Sequence, residues 1–207
     1  MNLAIFGATG KVGQELTKQA LEAGHEVTAL VRDTSKVEQT HQNLQLKTGD
    51  VFDVDDVNRT VKGKDAVIVV LGDGRKGKVR AKGTELVINS MKANGVKRLI
   101  VQSTLGAGDS YSTLNFFWKY IMFGLVLRSA FADHEEQERI VRKSGLDWTL
   151  VRPGAFTDGL LTGEYKSGEF EQDEDLELKI SVADVAHFLL GQIGDEGSIG
   201  KAPGLSY

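Results

Sequence analysis

The sequence predicts an α/β protein, a single doubly wound domain over residues 1–207 with a mostly parallel sheet. Three observations carry that prediction. Short apolar runs alternate with segments of helical periodicity, a glycine-rich turn joins the first run to the first helix, and no repeat or Pro/Gly/Ser-rich linker divides the chain.

The elements follow in order. NLAIFG reads as a strand, and VGQELTKQALEAG follows as a helix with Val12, Leu16, Ala20, Leu21 and Ala23 at helical spacing before a closing glycine. HEVTALVR is a second strand. A polar link, DTSKVEQTHQ, leads to a third, NLQLKTGD. DVDDVNRTVKG is a short helix with Val54, Val57 and Val61 on one face. DAVIVVLG, the fourth strand, is the most continuously apolar, as a central parallel strand buried on both faces should be. KGTELVINSMKANG is helical and stops at Gly95. KRLIVQST is a fifth strand, and DHEEQERIVRKSG a charged helix with Ile140 and Val141 inward. DWTLVRPG is a sixth strand, and Ser181 caps a late helix, SVADVAHFLLGQI. The acidic stretch Glu169 to Leu178 reads as a solvated loop or edge strand.

Composition narrows the function classes. Hydrophobic residues are 41% and charged residues 26%, ordinary for a globular protein. A net charge of -4 gives no global pull toward nucleic acid or an anionic membrane. The absence of cysteine excludes disulfides and thiol nucleophiles, and it fits a cytoplasmic protein. The chain enters a strand pattern at once, without a leader. The apolar segment Tyr111 to Leu127 contains Asn115 and Lys119 and falls short of the about 20 residues a membrane span needs. It reads as a lid, a core helix or a dimer-forming helix. No His, Asp and Glu spacing suggests a metal site.

The turn GATGKVG carries the first chemistry. Gly7 allows the sharp exit from the strand, Gly10 lets backbone approach a pyrophosphate, and Gly13 lets helix and sheet pack closely. The helix start offers N–H groups to phosphate, with Thr9 and Lys11 beside it and Val12 following. A mononucleotide P-loop is excluded, because Ile5 stands where its first glycine belongs and Val12 where its Ser or Thr belongs. The pattern in this setting is that of the dinucleotide-binding, or Rossmann, arrangement. The second strand ends in Arg32 and Asp33, followed by Thr34, Ser35 and Lys36. These cations and hydroxyls suit the 2′-phosphate of NADP over the bare ribose of NAD. Asp50 and Val51 end the third strand where adenine would lie, although Asp50 also fits as a helix cap. Leu71 and Gly72 would pass under the far ribose.

At the catalytic end, Ser103 and Thr104 close the fifth strand beside the nicotinamide position. Either hydroxyl can serve a substrate carbonyl, the carboxamide or merely the strand end. Pro153 and Gly154 make a turn there, followed by Ala155 and Phe156, which can flank a flat substrate. A Tyr-x-x-x-Lys pair is missing: Tyr111, Tyr120 and Tyr165 are followed at that spacing by Asn115, Gly124 and Glu169. His134 could face the active-site mouth as a donor, but reads more readily as a polar surface or capping residue, and no Gly-x-Ser-x-Gly is present.

Together IFGATGKVG, VTALVRD, TGDV, DAVIVVLG, SGLDWTLVRPG and LLTGEY resemble the atypical short-chain reductases with NmrA-like NAD(P)-binding domains, and within them the flavin reductase (NADPH), or biliverdin reductase B, branch. The resemblance runs through nearly the whole chain. It implies NADPH-dependent reduction of flavins (FMN, FAD or riboflavin), and of biliverdin or related linear tetrapyrroles. It implies a planar acceptor stacked on the nicotinamide, with the proton coming from solvent or substrate. By motif, Gly7, Thr9, Gly10, Lys11, Val12 and Gly13 match that family's phosphate loop and Arg32 its 2′-phosphate arginine. Asp50 and Val51 match its adenine site, Leu71 and Gly72 its cofactor strand end, Thr104 its active-site serine, and Pro153 and Gly154 its nicotinamide turn. Where mammalian members carry a Pro-Pro-His turn, this chain has Pro153, Gly154 and Ala155, and its lid segment also differs. The expected partners are therefore a small planar acceptor, with neither nucleic acid nor membrane, in a monomer or weak homodimer. A cofactor-sensing NmrA-like regulator without turnover is the alternative reading.

Overall fold

The computed structural model describes residues 1–170 and 176–207. Residues 171–175 of the acidic stretch lie outside the described residues.

The first six strands form where expected: β1 Asn2–Phe6, β2 Glu26–Val31, β3 Leu44–Thr48, β4 Ala66–Val69, β5 Arg98–Gln102 and β6 Asp147–Pro153. They pair in parallel in the order β3-β2-β1-β4-β5-β6, with Phe6 opposite both Leu30 and Val69. This is the doubly wound order, and its topological switch point falls between β1 and β4. Side-chain alternation explains why the sheet needs cover on both faces. On β1, Leu3 and Ile5 join one core cluster while Ala4 and Phe6 join the other, and Ala66 and Ile68 of β4 divide from Val67 and Val69 in the same way. Helices α1 (Lys11–Glu22) and α5 (Val182–Gly191) pack against the first cluster. Helices α2 (Val54–Val61), α3 (Arg80–Asn94) and α4 (Arg128–Arg142) pack against the second.

The helix ends follow local chemistry. Ser181 accepts the Asp184 N–H at 3.0 Å and caps α5 as expected. Asp53, rather than Asp50, caps α2 by accepting from Asp55 and Asp56. Gly95 ends α3 in the left-handed region, φ +70°. On α2, Val57 and Val61 are buried but Val54 is exposed, because it occupies the first helical position and turns away from the sheet. Ile140 of α4 is only partly buried, whereas Val141 is fully so.

Four further strands were not legible in the sequence. Each is three residues long, too short to show a period. They are β7 (Ala155–Thr157), β8 (Lys166–Gly168), β9 (Lys179–Ser181) and β10 (Gly204–Ser206). Strand β10 extends the sheet parallel to β6, and β8 adds antiparallel to β10. Ala155 and Phe156, which follow the Pro153 and Gly154 turn, lie on β7, which pairs with β9 beside the sheet. The apolar segment forms a 3-10 turn at Gly108–Thr113 and a π-helix at Phe117–Val126. No helix among the described residues is long and apolar enough to cross a membrane.

Candidate active site

Two cavities open along the carboxyl ends of the strands. The larger, about 720 Å³, is lined by Gly7, Thr9, Gly10, Lys11, Val12 and Gly13, by Arg32, Asp50 and Val51, and by Leu71, Gly72 and Phe156. The smaller, about 260 Å³, is lined by Ser103, Thr104, Pro153, Gly154, Ala155 and Phe156. Every site residue expected from the sequence therefore reaches one of two adjoining hollows. Arg80, Gln102 and Phe156 line both, so the two hollows adjoin.

The three loop glycines have different reasons to be glycine. Gly7 holds φ +100°, and a Cβ there would stand 2.5 Å from the Val70 carbonyl oxygen. A Cβ on Gly13 would stand 2.1 Å from the Gly7 oxygen. Gly10 is unlike them: its nearest obstacle is the Gly7 oxygen at 3.4 Å, so the protein itself leaves room for a methyl group. What its missing side chain preserves is the cavity above it. No side chain caps α1 at Gly10, which leaves the first-turn N–H groups free for an anion. Lys11 pairs with Asp158 at 2.8 Å, but both groups are well exposed and such a pair yields readily to a phosphate.

Arg32 is exposed on the cavity wall and makes no ion pair among the described residues. Its neighbour Asp33 is engaged elsewhere. Its carboxylate accepts from the Ser35 N–H at 3.0 Å and hydroxyl at 2.6 Å. Those bonds hold its pKa below the usual carboxylate value. Asp50 accepts the Phe52 N–H at 2.9 Å, which fixes the turn after β3. Val51 and Leu71 meet at Gly83, where an added Cβ would stand 2.7 Å from a Leu71 methyl.

The smaller hollow has an apolar roof. Trp118 and Phe123 of the π-helix, with Leu114 and Leu127, cover it. The inward residues of the segment thus form a wall of this hollow, while Phe116, Phe117, Tyr120 and Leu125 are exposed. No tyrosine lines this hollow, in keeping with the missing Tyr-x-x-x-Lys pair. Its polar groups come from below. Ser103 is 1% exposed and its hydroxyl has no partner, whereas Thr104 is half-buried with a long contact of 3.4 Å to the Leu105 oxygen.

His134 corrects the sequence reading. It is neither a surface residue nor a cap: it is 9% exposed and lines the hollow. The capping belongs to Asp133, whose carboxylate accepts the Arg80 and Ala81 N–H groups at 3.0 Å each and so closes the start of α3 from α4. Because α4 begins at Arg128, five residues before the charged run, His134 lies inside the helix on its buried face. Burial, with the nearby Arg80 cation, lowers the imidazole pKa to about 3. His134 is neutral at neutral pH, and its Nδ1 has no partner. Arg80 and Gln102 also hold a buried polar atom without a partner, Nε and Oε1 respectively. A buried polar atom left unpaired costs about 1–3 kcal/mol.

Behind the hollow, Arg152 of β6 and Glu138 of α4 form a buried bidentate pair, with contacts of 2.9 and 2.6 Å. This ties the helix carrying His134 to the strand carrying Pro153.

The chain matches the NAD(P)H-binding family over residues 7–196. It belongs to that family. The uncharacterized protein YwnB of Bacillus subtilis is 31% identical over 183 residues, 82% of this chain and 80% of YwnB. Among solved structures, the oxidoreductase ylbE of Lactococcus lactis aligns with a TM-score of 0.82 at 26% identity, covering 99% of this chain and 90% of ylbE. ChuY, an anaerobillin reductase of Escherichia coli O157:H7, has the same fold at a TM-score of 0.82 and 24% identity, over 99% of this chain and 96% of ChuY. This kinship places the NAD(P)H-binding chain among the NAD(P)H-dependent oxidoreductases. The likeness to atypical short-chain reductases read from the sequence holds at that level.

Proposed function

We propose that this protein is an NADPH-dependent reductase of a small planar acceptor, with flavin favoured over linear tetrapyrroles. One observation carries the reading: a nucleotide-sized groove adjoins a largely apolar hollow, and Arg80, Gln102 and Phe156 border both. In this reading Gly10 and the uncapped start of α1 take the pyrophosphate, with Thr9 and Lys11 beside it. Arg32 takes the 2′-phosphate, and the engagement of Asp33 with Ser35 leaves no acid competing for that place. Asp50 and Val51 border adenine, Leu71 and Gly72 the far ribose, and Ser103, Thr104, Pro153, Gly154, Ala155 and Phe156 the nicotinamide and acceptor. The bound cofactor supplies hydride. The chain supplies orientation and a dry enclosure under Trp118 and Phe123.

The proton comes from solvent or from the acceptor. No tyrosine lines the hollow, and an imidazole with a pKa near 3 is a poor acid at neutral pH. The Pro153, Gly154 and Ala155 turn and the differing apolar segment, where this chain departs from the biliverdin-reducing branch, support flavin over tetrapyrrole. The test is to follow NADPH absorbance with the protein and FMN, then with biliverdin. Consumption that requires both protein and FMN is expected. Tight NADPH binding without consumption across a panel of flavins, quinones and bilins would instead make the protein a cofactor sensor.

A further inference from the structure

We infer that His134 and Ser103, with Arg80 at the groove boundary, form a seat for the oxygen edge of the acceptor. The acceptor class is then a compact conjugated ring carrying a carbonyl, such as a quinone or an isoalloxazine. This rests on the proposed reductase reading and sharpens its substrate.

Four observations converge. Among the described residues, six buried side chains hold an unpartnered polar atom, and four of them line this one hollow of about 260 Å³. Native proteins pair such atoms almost everywhere, so a cluster at one cavity points to a missing partner there. The rest of the wall is largely apolar, with Trp118, Phe123 and Leu127 among its members, which selects a flat apolar body. The available chemistry is mixed. Ser103 can donate or accept, a neutral His134 can do either according to tautomer, and Arg80 Nε can only donate. Donors held on the buried floor of a largely apolar hollow suit a carbonyl oxygen, on which negative charge grows as the ring accepts hydride. Gln137, one turn along α4, is the neighbour close enough to touch the His134 ring, and no other group among the described residues engages these atoms. Arg80 is anchored through Nη1 to Asp73 at 3.1 Å, and its neighbour Asp133 is spent on capping α3.

The test uses binding without turnover. Menadione, and 2-methylnaphthalene as its carbonyl-free counterpart, are titrated into the NADP⁺-loaded protein and followed by tryptophan fluorescence, since Trp118 lines the hollow. Wild type should prefer menadione. His134→Phe should weaken menadione about 10-fold or more and leave 2-methylnaphthalene unchanged or tighter. It should also raise the melting temperature, because a stranded polar atom has been removed. Ser103→Ala is the second variant, and it should weaken menadione in the same selective way. Riboflavin should follow menadione. Equal effects on both naphthalenes, or no effect in either variant, would overturn the seat. Biliverdin binding as tightly as menadione, and weakened with it, would overturn the compact-ring assignment. Neither result depends on NADPH consumption, so failure of the reductase reading would show separately in the turnover assay.

Discussion

The two halves of the site are built on opposite principles. The cofactor groove is mostly backbone: three glycines, an uncapped helix start, and strand ends stripped of bulk at Gly72. The acceptor hollow is mostly side chains brought from distant segments. Ser103 follows β5, His134 comes from α4, Arg80 from α3 and Trp118 from the π-helix. The first must present N–H groups to a constant ligand and is stiff by packing. The second keeps polar atoms unpaired and is held in shape by ion pairs and caps. The lesson is that the groove resists change through steric exclusion, whereas the hollow is set by electrostatics.

The largest expected effect breaks the acceptor side at its brace. Glu138→Ala would remove the bidentate partner of Arg152, 3% exposed at its side chain, leave it only the exposed Asp109 at 2.5 Å, and should cost about 3–4 kcal/mol in urea unfolding. A loss below about 1 kcal/mol would mean that packing, not charge, shapes this half. Next, Gly13→Ala should cost about 3 kcal/mol, because its methyl would meet the Gly7 carbonyl oxygen. Gly10→Ala should fold with a near-native melting temperature and still lose most of its NADPH affinity in calorimetry. Similar behaviour in these two variants would erase the distinction between packing and ligand glycines.

Arg32→Ala sharpens the contrast within the groove. It should weaken NADPH by about 1.5–3 kcal/mol, the range for a charged hydrogen bond, and scarcely change NADH. An equal loss for both would remove the 2′-phosphate assignment. The smallest effect is a pH dependence from His134. Its pKa falls from 6.5 in the unfolded chain to about 3 in the fold. The unfolded state therefore binds the extra proton between those values. This contribution to stability is complete above pH 6.5 and shrinks as pH falls, by about 2 kcal/mol between pH 7 and 5. His134→Phe should flatten that part of the profile, measured as the difference in unfolding free energy from wild type at the two pH values.

The same contrast explains what could be read from the sequence. The groove was legible because its determinants are local. GATGKVG, Arg32, and the Asp50–Val51 and Leu71–Gly72 pairs each sit at the end of a strand whose apolar run marks it. The hollow was only half legible. Ser103, Thr104 and the residues after Pro153 follow from strand ends, as does Gln102 at the last position of β5, but His134 and Arg80 do not. Acidic neighbours such as Glu135 and Glu136 disguised the inner face of α4, which is largely polar: Asp133, His134, Gln137 and Glu138 are buried beside Ala130 and Val141. The helical spacing of Ala130, His134, Gln137 and Val141 was the available signal. A pattern search for apolar residues passes over it, because polar groups occupy the inward positions. Arg80 lay hidden in a run of surface-like cations, Arg75 to Arg80, and only the fold shows that this last one turns inward.

Arg80 and Phe156 belong to both cavities, so neither compartment can be filled without touching a side chain of the other. In the proposed reading, this shared border is where the two occupancies would be thermodynamically linked. Whatever factor the nucleotide imposes on acceptor affinity, the acceptor must return to the nucleotide in equal measure. A reductase of this design has no independent dissociation constants for its two ligands, only a pair of conditional ones. The ratio between them is a property of Arg80 and Phe156 that a binding square would read directly.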